Sequence, residues 1–342
     1  METIWFCLVA VMIAAYVVLD GFDLGAGILH RFVAKTDAER RAVLASIGPL
    51  WDGNEVWLLA GGGTLYFAFP ALYASSFSGF YLPLMMVLWL LILRGIAIEF
   101  RGHLQGPVWG PLCDSVFCGA SALLAIFFGA ALGNVVRGVP LDSSGYFFLP
   151  LWTDFSLGGD AAVLDPYTVL IAIAAFITLA EHGALWVAYK TTGDLEQRSR
   201  RAAGRLWWAV AAMVIVITFT SFRVQPHLGE SFRARPWGFV FPLIALAGLI
   251  LMRRSGLRAF LASSAFLTGM LTSVAFGVYP YVLPSSGDPA RSLTIYNAAA
   301  ARYGLQVGLV WFIPGIALAA GYFVYTYRSF AGKVGEEPWP GK

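Results

Sequence analysis

The sequence predicts an all-α polytopic membrane protein with about nine transmembrane helices. Of its 342 residues, 58% are hydrophobic and 13% charged, and mean hydropathy is +0.71. Soluble domains carry about 25% charged residues. Apolar runs of about 20 residues, the length that crosses a bilayer, recur from end to end. The alternating segments of about ten residues that mark a β-barrel are absent, which leaves helices as the spanning solution.

The spans fall at roughly 3–28, 51–70, 76–98, 112–133, 166–189, 206–224, 237–252, 259–281 and 304–328. The first lacks the basic start of a signal peptide. It carries Asp20 and Asp23 where a cleavage region belongs, so Met1–Leu29 reads as a retained span. The second holds Gly61, Gly62 and Gly63, which permit a bend or a close helix approach. Cys7, Cys113 and Cys118 show neither CxxC nor metal spacing and read as small packing residues. The fifth span contains Glu181 and His182, and the seventh is the shortest. No repeat of 20–50 residues and no soluble domain of useful size is evident. The chain reads as one transmembrane domain over 1–342, with helices in 1–133, a link at 134–165 and further helices in 166–328.

Orientation follows from Lys and Arg, which gather on cytoplasmic links. The links after spans 1, 3, 5 and 7, with the C-terminal tail that includes Lys342, hold 17 of the 23 basic residues. The N-terminus is therefore expected outside and the C-terminus in the cytoplasm. On that orientation the 134–165 link is external. It carries Asp142, Asp154, Asp160 and Asp165 beside Tyr146, Phe147, Phe148, Trp152 and Phe155. Such a segment lies on a partner or the membrane, or forms an interfacial aromatic belt.

Ionisable residues at bilayer depth carry the functional signal. A charge there costs roughly 2.5–3.5 kcal/mol on insertion scales and marks ion or proton paths. Asp20 and Asp23 sit three apart near the inner end of span 1, on one helical face. Asp52 and Glu55 sit three apart in the first turns of span 2. If the two spans are neighbours, four carboxylates and Asn54 share one depth and cannot all stay ionised. A carboxylate that exchanges its proton near neutrality suits a proton relay. The plainer reading has Asp52, after Pro49, as a helix cap with Glu55 completing it, and the others solvated at the interface.

Arg94, with Glu99 and Arg101 nearby, is the natural counter-ion by opposite charge at equal depth. The alternative is a snorkelling Arg. Trp51 and Trp57 read as interface anchors. Glu181 and His182 point about 100° apart, so one of them is open to lipid or a partner. His182 is the only histidine well inside a span, since His30, His103 and His227 fall in or near links. A bis-histidine haem needs two buried imidazoles at matched depth, so no haem ligand pair is expected here. No metal site, phosphate loop, nucleophile elbow, HExxH or nucleic-acid patch is present.

Longer blocks carry a family likeness. DGFDLGAG at 20–27, GPLWDGNEVWLLAGGG at 48–63 and SGFYLPL at 78–84 resemble subunit II of the cytochrome bd quinol oxidases. So do LGNVVRGVPL at 132–141, HGALWVAYKTTGDL at 182–195, YPYVLPSS at 279–286 and SLTIYNAA at 292–299. The likeness runs almost full length and in order; 134–165 and 225–240 diverge most.

The resemblance implies two four-helix bundles plus a peripheral helix, paired with a haem-bearing subunit I. Some members add a small single-span accessory subunit. It implies quinol oxidation at the outer face of the bacterial inner membrane and O2 reduction to water, with protons drawn from the cytoplasm. It places two b-type haems and one haem d in subunit I, none in this chain, and allows a bound quinone or other membrane lipids. It makes Asp52 the proton entrance, with Glu55, Asp20 and Asp23 behind it and Trp51, Asn54, Arg94 and Glu99 as its setting. No catalytic residue is expected in this chain. A secondary transporter or channel coupling ions through the same carboxylates is the competing reading.

Overall fold

Long apolar runs become long helices in the computed structural model, which describes residues 1–104, 107–156 and 160–334. Lys342 of the tail lies outside the described residues. Twelve α-helices follow in order among them: α1 Glu2–Val33, α2 Asp37–Ile47, α3 Trp51–Ala68, α4 Pro70–Gly79, α5 Tyr81–Phe100, α6 Trp109–Arg137, α7 Pro166–Lys190, α8 Gly193–Val224, α9 His227–Ala234, α10 Val240–Leu251, α11 Leu257–Val278 and α12 Arg302–Ser329.

Seven of these (α1, α5, α6, α7, α8, α11 and α12) are long and apolar enough to cross a membrane. The pair of α9 and Pro236–Leu251, bent by 109°, makes up to eight. The protein is thus a polytopic helical membrane protein. Two expected spans are less regular than the sequence suggests. Span 3 is broken at Phe80 between α4 and α5, and α3 is an 18-residue helix diluted by Asp52, Glu55 and four glycines.

Local chemistry sets the helix ends. Thr36 and Glu39 form a reciprocal capping box at α2. Asp165 accepts from the amides of Tyr167 and Thr168 to start α7, with Pro166 at its first position. Asp165 also pairs with Arg137 at the end of α6, which ties the two ends of the link together. Within that link Phe147 is buried, while Tyr146, Phe148, Trp152 and Phe155 are exposed.

Helix α1 is the axis of the fold and packs on α3, α6, α7 and α11. Its crossing with α7 needs glycine on both sides. A Cβ on Gly25 would stand 1.9 Å from Leu179 O, and one on Gly183 would stand 2.2 Å from Gly25 C. The Gly61–Gly63 run does less than its sequence suggests. Gly61 meets Met12 of α1 at 3.9 Å, and the other two face open space. Cys113 is buried and Cys118 donates to Ile28 O, but Cys7 is exposed. At the end of the fold remote from α2, Phe69, Phe147, Leu283, Ile295 and Leu305 form a second core under the short antiparallel β1 (Tyr281–Leu283) and β2 (Leu293–Thr294).

Candidate functional site

Helices α1, α3 and α5 bring two of the four expected carboxylates onto one arginine and a third close beside them. Arg94 is fully buried on α5. It donates through Nη1 to Asp20 Oδ2 at 2.9 Å and through Nη2 to Asp20 Oδ1 at 2.7 Å. The same Nη2 donates to Glu55 Oε2 at 2.9 Å. This fork geometry suits guanidinium and gives a rigid bidentate pair. Asp20 is wholly buried, whereas the Glu55 side chain keeps 23% of its surface. The cluster therefore runs from a half-open acid to a closed one across a single cation.

Asp23, one turn below Asp20, joins through Asn54. Asn54 donates to Asp23 Oδ2 at 2.8 Å, and Tyr327 of α12 donates to Asn54 Oδ1 at 2.9 Å. Asp23 Oδ1, Arg94 Nε and the Tyr16 hydroxyl are buried without a hydrogen-bond partner among the described residues. Two acids bond one guanidinium, the third hangs on Asn54, and the cluster keeps spare acceptor capacity.

Asp52 does not join this group. It is exposed in the first turn of α3 and caps nothing, because Leu50 is the N-cap and no side chain bonds there. The capping alternative is therefore removed. Asp52 stands one turn before Glu55 on α3. Trp51 donates to Glu99 at 3.2 Å on the exposed rim, so these two flank the cluster. Trp57 lines an apolar groove between α1, α3 and α12.

Sequence reasoning missed a second buried cluster on the same α1. His30 lies inside α1 and is fully buried, not in a link. Its Nε2 lies 2.6 Å from Asp114 Oδ1. Arg101 donates to the same carboxylate from Nε at 2.6 Å and from Nη2 at 3.1 Å, and to Asp37 at 2.7 Å. Arg40 reaches Asp114 at 3.5 Å. The available signal was Asp114 itself, a carboxylate at the edge of an apolar run.

Glu181 and His182 are both buried within this chain, so neither lies on its outer surface. His182 uses both ring nitrogens, with Ser263 Oγ 2.6 Å from Nδ1 and Val18 O 2.9 Å from Nε2. It is engaged between helices and has no free nitrogen for a metal. No group of three His, Cys, Asp or Glu among the described residues is placed to hold a metal ion.

A polytopic helical protein with a buried Arg–carboxylate cluster near one end is a class shared by oxidase subunits and ion-coupled transporters. The family model for cytochrome bd terminal oxidase subunit II matches residues 1–330, and the chain belongs to that family. It is 30% identical to a probable cytochrome oxidase subunit 2 of Haemophilus influenzae, over 97% of this chain and 94% of that one. It is 29% identical to cytochrome bd ubiquinol oxidase subunit 2 of Bacillus subtilis, over 98% and 97%. It is 30% identical to cytochrome bd-I ubiquinol oxidase subunit 2 of Escherichia coli, over 98% and 95%. Its fold is similar to a chain of the bd oxidase of Geobacillus thermodenitrificans, at TM-score 0.73 and 18% identity, covering 96% and 98% of the two chains. The chain is thus one component of a terminal quinol oxidase, an oxidoreductase that it forms with subunit I, and the transporter reading is not favoured. Family and apolar helices together make it a protein of the bacterial inner membrane.

Proposed function

We propose that this subunit takes protons from the cytoplasm and braces subunit I, where the haems reside. Asp52 receives the proton at the surface and Glu55 accepts it one turn deeper. Asp20 and Asp23 are the inner acids, and Arg94 holds the group together. The observation that carries this reading is the Arg94 fork joining half-open Glu55 to closed Asp20. A buried guanidinium is stable only with carboxylates paired to it, and an excess of acids around one cation leaves a proton free to move. Trp51, Asn54 and Glu99 hold the rim and the Asp23 branch. The haems supply the electron chemistry, and the residues of this chain hold and pass protons at carboxylate oxygens.

The same reading places the N-terminus outside and the α2 end in the cytoplasm. It counts nine spans by adding α3 to the eight apolar ones. It divides them into helices of 1–133 and of 166–328, joined by the 134–165 link, as two four-helix bundles with a peripheral helix. A small accessory subunit, the quinol and a bound quinone or lipid complete the assembly. The direct test is Asp52→Asn in the whole complex. Slower O2 reduction with quinol at unchanged haem content supports the reading, and unchanged turnover across pH overturns it.

A further inference from the structure

The Arg94 cluster leaves one buried carboxylate unexplained. Glu181 of α7 is 1% exposed, and its Oε2 has no partner among the described residues. It lines a cavity of about 210 Å3 walled by α7, α8 and the turn between α10 and α11. Three arginines, Arg200, Arg253 and Arg254, line the same cavity, and all three are exposed. None of them has a carboxylate partner among the described residues. Arg253 stacks 4.9 Å from the Trp207 ring, which holds its guanidinium at the wall.

Depth decides what such a cavity can hold. Helices α7 and α8 meet in a tight turn at Thr191–Thr192, so they run antiparallel and Glu181 lies level with Ala203 and Gly204. Trp207 and exposed Trp208 mark that level as the membrane interface. Leu251, Leu257 and Leu261, next in sequence to the lining residues Met252, Gly256 and Ala259, are exposed apolar side chains. The cavity thus sits at headgroup depth with a cationic mouth, a carboxylate inside and an apolar surround. The first turn of the 22-residue α11 also begins here, after Gly256, and adds amide donors for an anion.

We propose that this cavity binds the headgroup of a phospholipid that carries both a phosphodiester and a hydrogen-bond donor. The phosphate pairs with Arg200, Arg253 and Arg254. The ammonium of an ethanolamine head, or a hydroxyl of a glycerol head, donates to Glu181. A choline head has the phosphate and no donor, and leaves Glu181 unsatisfied. The proposal rests on membrane placement and not on the proton reading, so the two fail separately.

Native mass spectrometry of the detergent-solubilised oxidase complex, supplied with phosphatidylethanolamine, phosphatidylglycerol or phosphatidylcholine, tests it. The intact complex is expected to retain the first two over the third. Each arginine near a headgroup contributes about fivefold, so Arg200→Gln, Arg253→Gln and Arg254→Gln together weaken retention about a hundredfold. Arg254→Lys, which keeps the charge, retains lipid, and Glu181→Gln reduces the preference for ethanolamine over choline. The haem spectrum confirms that each variant is assembled, and single Arg254→Gln serves if the triple variant is not. Equal retention by wild type and arginine variants overturns the proposal, as does phosphatidylcholine held as tightly as the other two.

Discussion

Two buried charge clusters hang on α1 a few turns apart, and they are built on opposite balances. Around Arg94, two carboxylates share one guanidinium with a third close by on Asn54, one of the three is half open, and buried polar atoms stand without partners. Around Asp114, one carboxylate is held by His30, Arg101 and Arg40, with Arg101 reaching on to Asp37. The first has acid to spare and a way out through Glu55. In the second every carboxylate oxygen is taken, and the buried atoms left without partners there, His30 Nδ1 and Arg40 Nε, are nitrogens. Spare capacity suits proton exchange, whereas saturation suits a clamp joining α1, α2, the end of α5 and the start of α6.

Removing the centre of each cluster should give the largest effects. Arg94→Met leaves buried Asp20 and half-open Glu55 without a cation. A loss of about 3–5 kcal/mol is expected, read as a lower melting temperature and little assembled, haem-bearing complex. Asp114→Asn uncompensates Arg101 instead and should cost somewhat less, about 2–4 kcal/mol, since Arg101 retains Asp37. What remains assembled should turn over at the wild-type rate per haem. A specific loss of turnover in Asp114→Asn would make both clusters proton sites and dissolve the contrast.

A packing change that touches neither cluster sharpens the comparison. Gly183→Ala puts a methyl against the α1 backbone at Gly25. It should destabilise by about 1–3 kcal/mol in a thermal melt, with the turnover of surviving complex unchanged.

The smallest expected effect lies at Glu39 of α2, which meets Arg198 of α8. Burial pushes its carboxyl up. The Lys35 and Thr36 amides and the Arg198 guanidinium outweigh that and hold it below the ordinary value of 4.5. A depressed folded value means stability that is present above the unfolded value and lost as pH falls through the folded one. Glu39→Gln should therefore flatten the fall of melting temperature between about pH 5 and about pH 3, leaving neutral stability only slightly lower.

The sequence made some of this legible. Asp20 with Asp23 and Asn54 with Glu55 could be grouped because helical spacing and span depth are local properties, and opposite charge picked Arg94. Asp52 could not be separated from Glu55, because which residue faces inward depends on how α3 is rotated against α1. His30 looked like link because α1 continues to Val33 through a stretch ending in His30 and Arg31, where a span boundary is natural. Asp114 and Arg101 were hidden for the same reason, lying at helix edges whose packing is set by tertiary contact. The Gly25–Gly183 crossing needed both helices in place before either glycine had a reason.

Proton uptake separates the two clusters most directly. Oriented vesicles of the whole oxidase, fully reduced and then exposed to O2, can be followed with a pH-sensitive dye in the solution on the α2 side. Glu55→Gln should delay uptake at unchanged haem content, and Asp114→Asn should follow the wild-type time course. Equal delays in both variants, or no delay in Glu55→Gln, would contradict the assignment of proton uptake to the Arg94 cluster.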